Sequence, residues 1–108
     1  MTIDPQKYID FVRQTTSQES LDWPTLSSRL THLEMHDEAN VTQLLTAALG
    51  VSAEAGEFTE VVKKIFLQGK PYTEENAFHM KRELGDIMWY LAQACMALDI
   101  SFDEILEM

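Results

Sequence analysis

The sequence predicts an all-α fold, a helical bundle, and three observations carry that expectation. Its 108 residues hold four glycines and three prolines to interrupt regular structure. No strand-like alternation of apolar and polar residues persists along the chain. Two long stretches, 41–67 and 74–98, instead repeat apolar residues at helical spacing. Hydrophobic residues at 45% and charged residues at 24% are ordinary for a globular protein. The length suits a single domain over 1–108, and no linker, low-complexity tract or shift in composition divides it.

Asp4-Pro5 reads as an N-cap followed by proline at the first helical position. The helix QKYIDFVRQT then carries Tyr8, Ile9, Phe11 and Val12 on its apolar side. TSQESLDWPTLSS is expected as a polar connector with a turn at Trp23-Pro24, and SRLTHLEMH as a further short helix. Asn40 caps a long helix over Val41–Leu67, whose expected stripe is Val41, Leu44, Leu45, Ala48, Ala55, Val62, Ile65 and Phe66. Gly69 and Pro71 end it in QGKPYT. The helix over Glu74–Leu98 is expected to bury Leu84, Ile87, Met88, Leu91, Ala94, Cys95 and Leu98. After a turn at Asp99-Ile100, Ser101 and Glu104 form a capping box, and FDEILEM begins a last helix that is cut short at Met108. The stripes on the two long helices exceed what the rest of a monomer covers. The core is therefore expected to be completed by oligomerisation, as a homodimer or homotetramer.

The net charge of −10, from 18 acidic against 8 basic residues, argues against a nucleic-acid partner, because no basic stripe displaces counterions. No apolar run reaches the roughly 20 residues of a membrane helix. MTIDPQKYIDF has no basic region leading into an apolar one, so no secretory signal is read. Cys95 stands alone in LAQACMAL, which suits a reduced thiol in the cytoplasm.

Two short stretches do not look like good helix. AEAGEF places Glu54 and Glu57 around Gly56, and RELGDI places Glu83 and Asp86 around Gly85. Each glycine gives up about 1 kcal/mol relative to alanine in a helix interior, and acids three apart share a face and repel. If the long helices run antiparallel across QGKPYT, the two pairs come level and four carboxylates converge. Such a cluster takes up protons or draws in a cation. Oxygen ligands without histidine or cysteine favour Mg²⁺, with Mn²⁺ possible in its place, and two Mg²⁺ balance four negative charges. Gly56 and Gly85 are expected to let the helices approach closely at this point.

From LLTAALGVSAEAGE through VKK and ELGDIMWYL to FDEIL, the chain resembles the MazG-like family of all-α nucleoside triphosphate pyrophosphohydrolases. The family signature, E-x-x-E, a spacer, then E-x-x-D, is met by Glu54, Glu57, Glu83 and Asp86. The resemblance covers about the last two-thirds of the chain. It implies a Mg²⁺-dependent oligomeric bundle that cleaves (d)NTPs to the monophosphate and pyrophosphate. It also implies a further Asn-x-x-Lys-Leu-x-x-Arg segment, which would begin where this chain stops.

A carboxylate beside the cations orients or deprotonates the attacking water in such chemistry, and Glu57 is the candidate. Lys64, seven residues on, shares its face and either contacts a phosphate or pairs with Glu60. Tyr90, four residues after Asp86, caps the pocket or touches the sugar, and Trp89 stacks on a base, unless both pack in the core or an interface. Gln43 returns to the acidic face, where an amide reads a base edge or is simply solvated. His32 and His36 in HLEMH offer a zinc pair but no third ligand, and QGKPYT lacks the pattern of a phosphate-binding loop. Two rival functions stand beside the broad hydrolase: a diphosphohydrolase narrow for a pyrimidine such as dUTP or dCTP, and a metal- or nucleotide-binding module without turnover.

Overall fold

The computed structural model describes residues 2–108, and among them six helices and no strand. The chain divides into two compact units, one ending at Glu38 and the other Ala39–Met108. No helix is long and apolar enough to cross a membrane.

The first unit holds α1 (Pro5–Gln14), α2 (Gln18–Leu21) and α3 (Trp23–His36). Asp4 Oδ1 accepts the backbone N–H groups of Gln6 and Lys7 at 3.1 and 3.3 Å, so α1 starts where the Asp-Pro pair predicts. The expected connector is different from its reading. Much of it is helical, and Trp23-Pro24 opens α3 instead of marking a turn. Asp22 caps α3 by accepting the Thr25 N–H at 3.1 Å, and Pro24 lies in the first turn, where its missing N–H has no helical partner to lose.

The second unit is built on α4 (Val41–Leu67) and α5 (Glu74–Leu98), followed by the short α6 (Phe102–Glu107). Both long helices have the predicted ends. Asn40 Oδ1 accepts the Gln43 N–H at 3.1 Å, and Thr73 Oγ1 accepts the Asn76 N–H at 3.1 Å. Gly69, at φ 77°, takes the left-handed conformation that stops α4. The next residue turns back so that the Lys70 N–H bonds the Lys64 carbonyl at 3.0 Å. Ser101 Oγ accepts the Glu104 N–H at 3.2 Å, the forward half of the predicted box.

α4 and α5 pack along their length as an antiparallel hairpin. Gln43 meets Gln93 at one end, Gly50 meets Tyr90 in the middle, and the Glu54 and Glu83 carboxylates meet toward the turn. The seam follows the apolar stripe that periodicity picks out only in part, with Cys95 buried as expected. Its buried members are Ala47, Gly50 and Val61 on α4, and Asn76, Glu83 and Cys95 on α5. Leu45, Phe66, Leu84, Met88 and Leu98, expected inside, are exposed, with Phe66 73% accessible. Leu49 is also exposed, at 64%. Small and acidic residues make the most buried part of the contact, Leu44, Ile65, Ile87 and Leu91 are half-buried beside it, and the other large apolar side chains of the expected stripe point outward.

Candidate functional site

Glu54 and Glu57 come from the middle of α4, and Glu83 from α5. One carboxylate oxygen of each lies within 4.8 Å of the others. Asp86, the fourth acid of the motif, stands one turn along α5 and lines a cavity of about 340 Å³ with Glu54, Trp89 and Tyr90. Exposure grades across the cluster: Glu83 is 2% accessible, Glu54 is half-buried and Glu57 is open to solvent.

The electrostatics follow from this crowding. The Glu54 carboxyl is pushed up to about 7 by the proton it shares with Glu83, by loss of solvent, and by the charges of Glu57, Glu83 and Asp86. Glu83 goes the other way. Its carboxylate is held down by the hydrogen bond from Glu54, then by those of His79 and Glu57, against the cost of burial. The pair therefore divides one proton, with Glu54 carrying it and Glu83 ionised.

Glu54 Oε2 and Glu83 Oε2 are buried and have no hydrogen-bond partner in the chain. Orphaned buried carboxylate oxygens cost on the order of 1–3 kcal/mol each unless something else meets them. A hard divalent cation does so. Mg²⁺ binds oxygens at 2.0–2.1 Å, which sets opposite ligands about 4.2 Å apart, within the spread of this cluster. The donor set is all oxygen and fits such an ion.

Three contributors lie outside the acid motif. His79 donates from Nε2 to Glu83 Oε1 at 3.1 Å, an i, i+4 contact that fixes the buried carboxylate. Gln93 accepts from Gln43 Nε2 at 2.9 Å, while Asn40 Nδ2 donates to Gln43 Oε1 at 3.0 Å, so the Gln43 amide ties α4 to α5. Gly50 lies under the Tyr90 ring, which would overlap any side chain placed there. Trp89 and Tyr90 meet edge to face with centroids 5.0 Å apart. His79 is readable from its spacing to Glu83; Gly50 and Gln93 become legible only with the register of the hairpin.

One expectation is changed by the geometry, and for Lys64 the structure shows the second of its two expected contacts. Gly56 and Gly85 have open space where a Cβ would be, so they do not bring α4 and α5 together. Each lies two residues from a seam acid, about 200° around the helix, and faces away. The Lys64 ammonium lies 3.7 Å from Glu60, which also takes Lys63 at 3.1 Å, and both pairs are exposed. His32 and His36 stack with rings 4.6 Å apart, and no third ligand joins them among the described residues.

Residues 42–108 match the family model described as the MazG nucleotide pyrophosphohydrolase domain. The chain belongs to this family. The MazG domain begins at the first turn of α4 and takes in the whole acid cluster. A curated relative, the Gene 37 protein of Mycobacterium phage L5, is 41% identical over 63 residues, covering 56% of this chain and 54% of that protein. The chain thus spans about half the length of the curated relative it matches. No solved structure matches it.

Proposed function

We propose that the chain is a Mg²⁺-dependent nucleoside triphosphate pyrophosphohydrolase that releases the monophosphate and pyrophosphate. The observation that carries this is the meeting of Glu54, Glu57 and Glu83 within 4.8 Å, with two buried oxygens unpartnered, inside a MazG domain. Glu54, Glu83 and Asp86 hold the cation together with Glu57. Bound there, Mg²⁺ (or Mn²⁺) offsets the charge of the triphosphate and makes its α-phosphorus more electrophilic.

The chain's own residues do the rest. Glu57 is the solvent-facing carboxylate of the cluster and takes the proton of the attacking water. His79 keeps Glu83 ionised and aimed. Trp89 and Tyr90, which line the 340 Å³ cavity beside Asp86 and Glu54, accept the nucleoside. Gln43 acts by bracing this end of the hairpin through Gln93. Lys64 balances Glu60 in the resting chain and is within the same flank as Glu57 to meet a phosphate when substrate is present.

The protein works as a cytoplasmic homodimer or homotetramer. Leu45, Leu49, Phe66 and Leu67 on α4, with Leu84 and Met88 on α5, are exposed hydrophobics that a second copy covers.

The test is pyrophosphate release from a panel of canonical and modified (d)NTPs, with and without Mg²⁺, for the wild type and Glu57→Gln. Metal-dependent release lost in the variant is expected. Mg²⁺ binding without release from any nucleotide would replace the hydrolase with a binding module.

A further inference from the structure

A second cavity, of about 280 Å³, opens beside the turn between α4 and α5. Lys70, Glu75, Asn76, Phe78, His79 and Arg82 line it. In a chain with 18 acids and 8 bases, Lys70 and Arg82 have no ion-pair partner among the described residues, although Glu75 borders the same space. What sets these two apart from the chain's other unpaired basic residues is that both face one hollow, a setting that suits an anion.

The cavity is prebuilt. Asn76, buried to 9% exposure, donates from Nδ2 to the Pro71 carbonyl at 2.6 Å and from its backbone to Thr73 Oγ1. Lys70 is anchored by its own N–H on the Lys64 carbonyl. The first turn of the 25-residue α5 lies here too, and its free N–H groups add partial positive charge.

Position makes the assignment narrower. Glu75, His79, Arg82, Asp86, Trp89 and Gln93 follow one another at spacings of three and four, so they share one flank of α5. Along that flank come the aromatic cavity, then the acid cluster, then the cationic cavity nearest the turn. His79 belongs to both of the last two, lining the cavity while its Nε2 contacts Glu83. From Trp89 to His79 is ten residues, about 15 Å of helix, the reach of an extended nucleoside triphosphate. A volume of 280 Å³ lies below the roughly 300–1,000 Å³ of pockets that enclose a whole small ligand. It suits a part of one.

We propose that Lys70 and Arg82 hold the terminal pyrophosphate of the nucleotide, as the β,γ-phosphates of the substrate and as the product before it leaves. This rests on the triphosphate reading of the acid cluster. When water's oxygen bonds to the α-phosphorus, the bond from that phosphorus to the bridging oxygen breaks, and its electron pair departs on pyrophosphate. The two cations offset that charge at the far end of the leaving group.

The experiment is calorimetric titration of the full chain with sodium pyrophosphate, without metal, for wild type, Lys70→Gln, Arg82→Gln, the double variant and Lys81→Gln. Circular dichroism checks each fold, and Arg82→Lys tests retention of charge. Lys81 is exposed and does not line the cavity. Each cavity substitution is expected to weaken pyrophosphate about tenfold, with Lys81→Gln at wild-type affinity and nucleoside monophosphate binding unchanged throughout. Absence of pyrophosphate binding to the wild type, equal affinity in the double variant, or an equal loss for monophosphate would overturn the assignment. Turnover separates the two proposals. A wild type that hydrolyses nucleotides while the double variant keeps its KM and its inhibition by pyrophosphate refutes the cavity alone. A wild type that binds pyrophosphate through Lys70 and Arg82 but hydrolyses nothing refutes the hydrolase and leaves the anion site standing.

Discussion

The ring of Tyr90 occupies the space in which a side chain on Gly50 would begin, so that a Cβ there would overlap Cδ1, Cε1 and Cγ. The contact sets how closely α4 and α5 approach one turn from the Glu54 carboxylate. Alanine at position 50 has the better helix propensity, by about 1 kcal/mol. The ring cannot move aside cheaply, however, and overpacking costs roughly 1–3 kcal/mol. Gly50→Ala is thus expected to destabilise the chain in denaturant titration. Adding Tyr90→Ala should recover most of the loss, because the double variant has no ring to displace; strictly additive effects would deny the contact.

Gly56→Ala is expected to behave in the opposite way. Nothing stands within 4 Å of the new methyl, so the folded chain gains about the full propensity difference of 1 kcal/mol. If a second copy packs on that outward face, the same substitution will instead weaken association. Sedimentation at several concentrations, beside thermal melts, distinguishes these outcomes.

Glu54→Gln should separate stability from function. It removes a carboxyl crowded by Glu57, Glu83 and Asp86. Without metal and above pH 7, the variant is expected to melt at a higher temperature than the wild type. Added Mg²⁺ will stabilise the wild type, since a ligand that binds the folded state raises its stability. It will stabilise the variant far less. Scanning calorimetry with and without the ion provides the comparison, and equal Mg²⁺-induced shifts would remove Glu54 from the ligand set.

Binding of Mg²⁺ should tighten as pH rises to about 7 and level off above it, because Glu54 keeps its proton up to about that pH and the cation must displace it. At pH 6 calorimetry in buffers of different ionisation enthalpy should find close to one proton released per site, and at pH 8.5 almost none. The metal-free fold responds with the signs of its two acids. The raised Glu54 contributes stability that is complete below the ordinary value of 4.5 and is lost as pH climbs through about 7. Glu83, held low, contributes stability above 4.5 that is lost as pH falls. A pH-independent affinity for Mg²⁺ would contradict the shared proton.

The helix boundaries were legible because caps are local chemistry: Asn40, Gly69 and Ser101 each act within a few residues of themselves. The meeting of Glu54, Glu57 and Glu83 was legible for a related reason, since i, i+3 pairs on two helices leaving one turn come nearly level, whereas Asp86, expected to converge with them, lines the adjoining cavity. The buried face was not. Periodicity weights the largest apolar side chains, and here Leu45, Phe66 and Met88 face outward, while Ala47, Gly50 and Glu83 make the seam. Trp23-Pro24 misled because proline serves a helix start as well as it serves a turn. Which partner Gln43 would take depends on Gln93, fifty residues away, and no local rule reaches that far.

The connection from Gln68 to Thr73 has a consequence for how such a protein can change. The four acids are registered by two helices, and a residue inserted within α4 between Gly50 and Glu57 would rotate one part of the seam by about 100° against the other. A residue inserted in the connection would leave that register alone, because α4 and α5 stay aligned by their own packing. Placed ahead of Lys70, it would break the bond from the Lys70 N–H to the Lys64 carbonyl and displace Lys70. Loop length is therefore a dial on the anion cavity that leaves the cation site untouched, and relatives with longer or shorter turns are expected to differ in how they grip the phosphate tail while sharing the same acids.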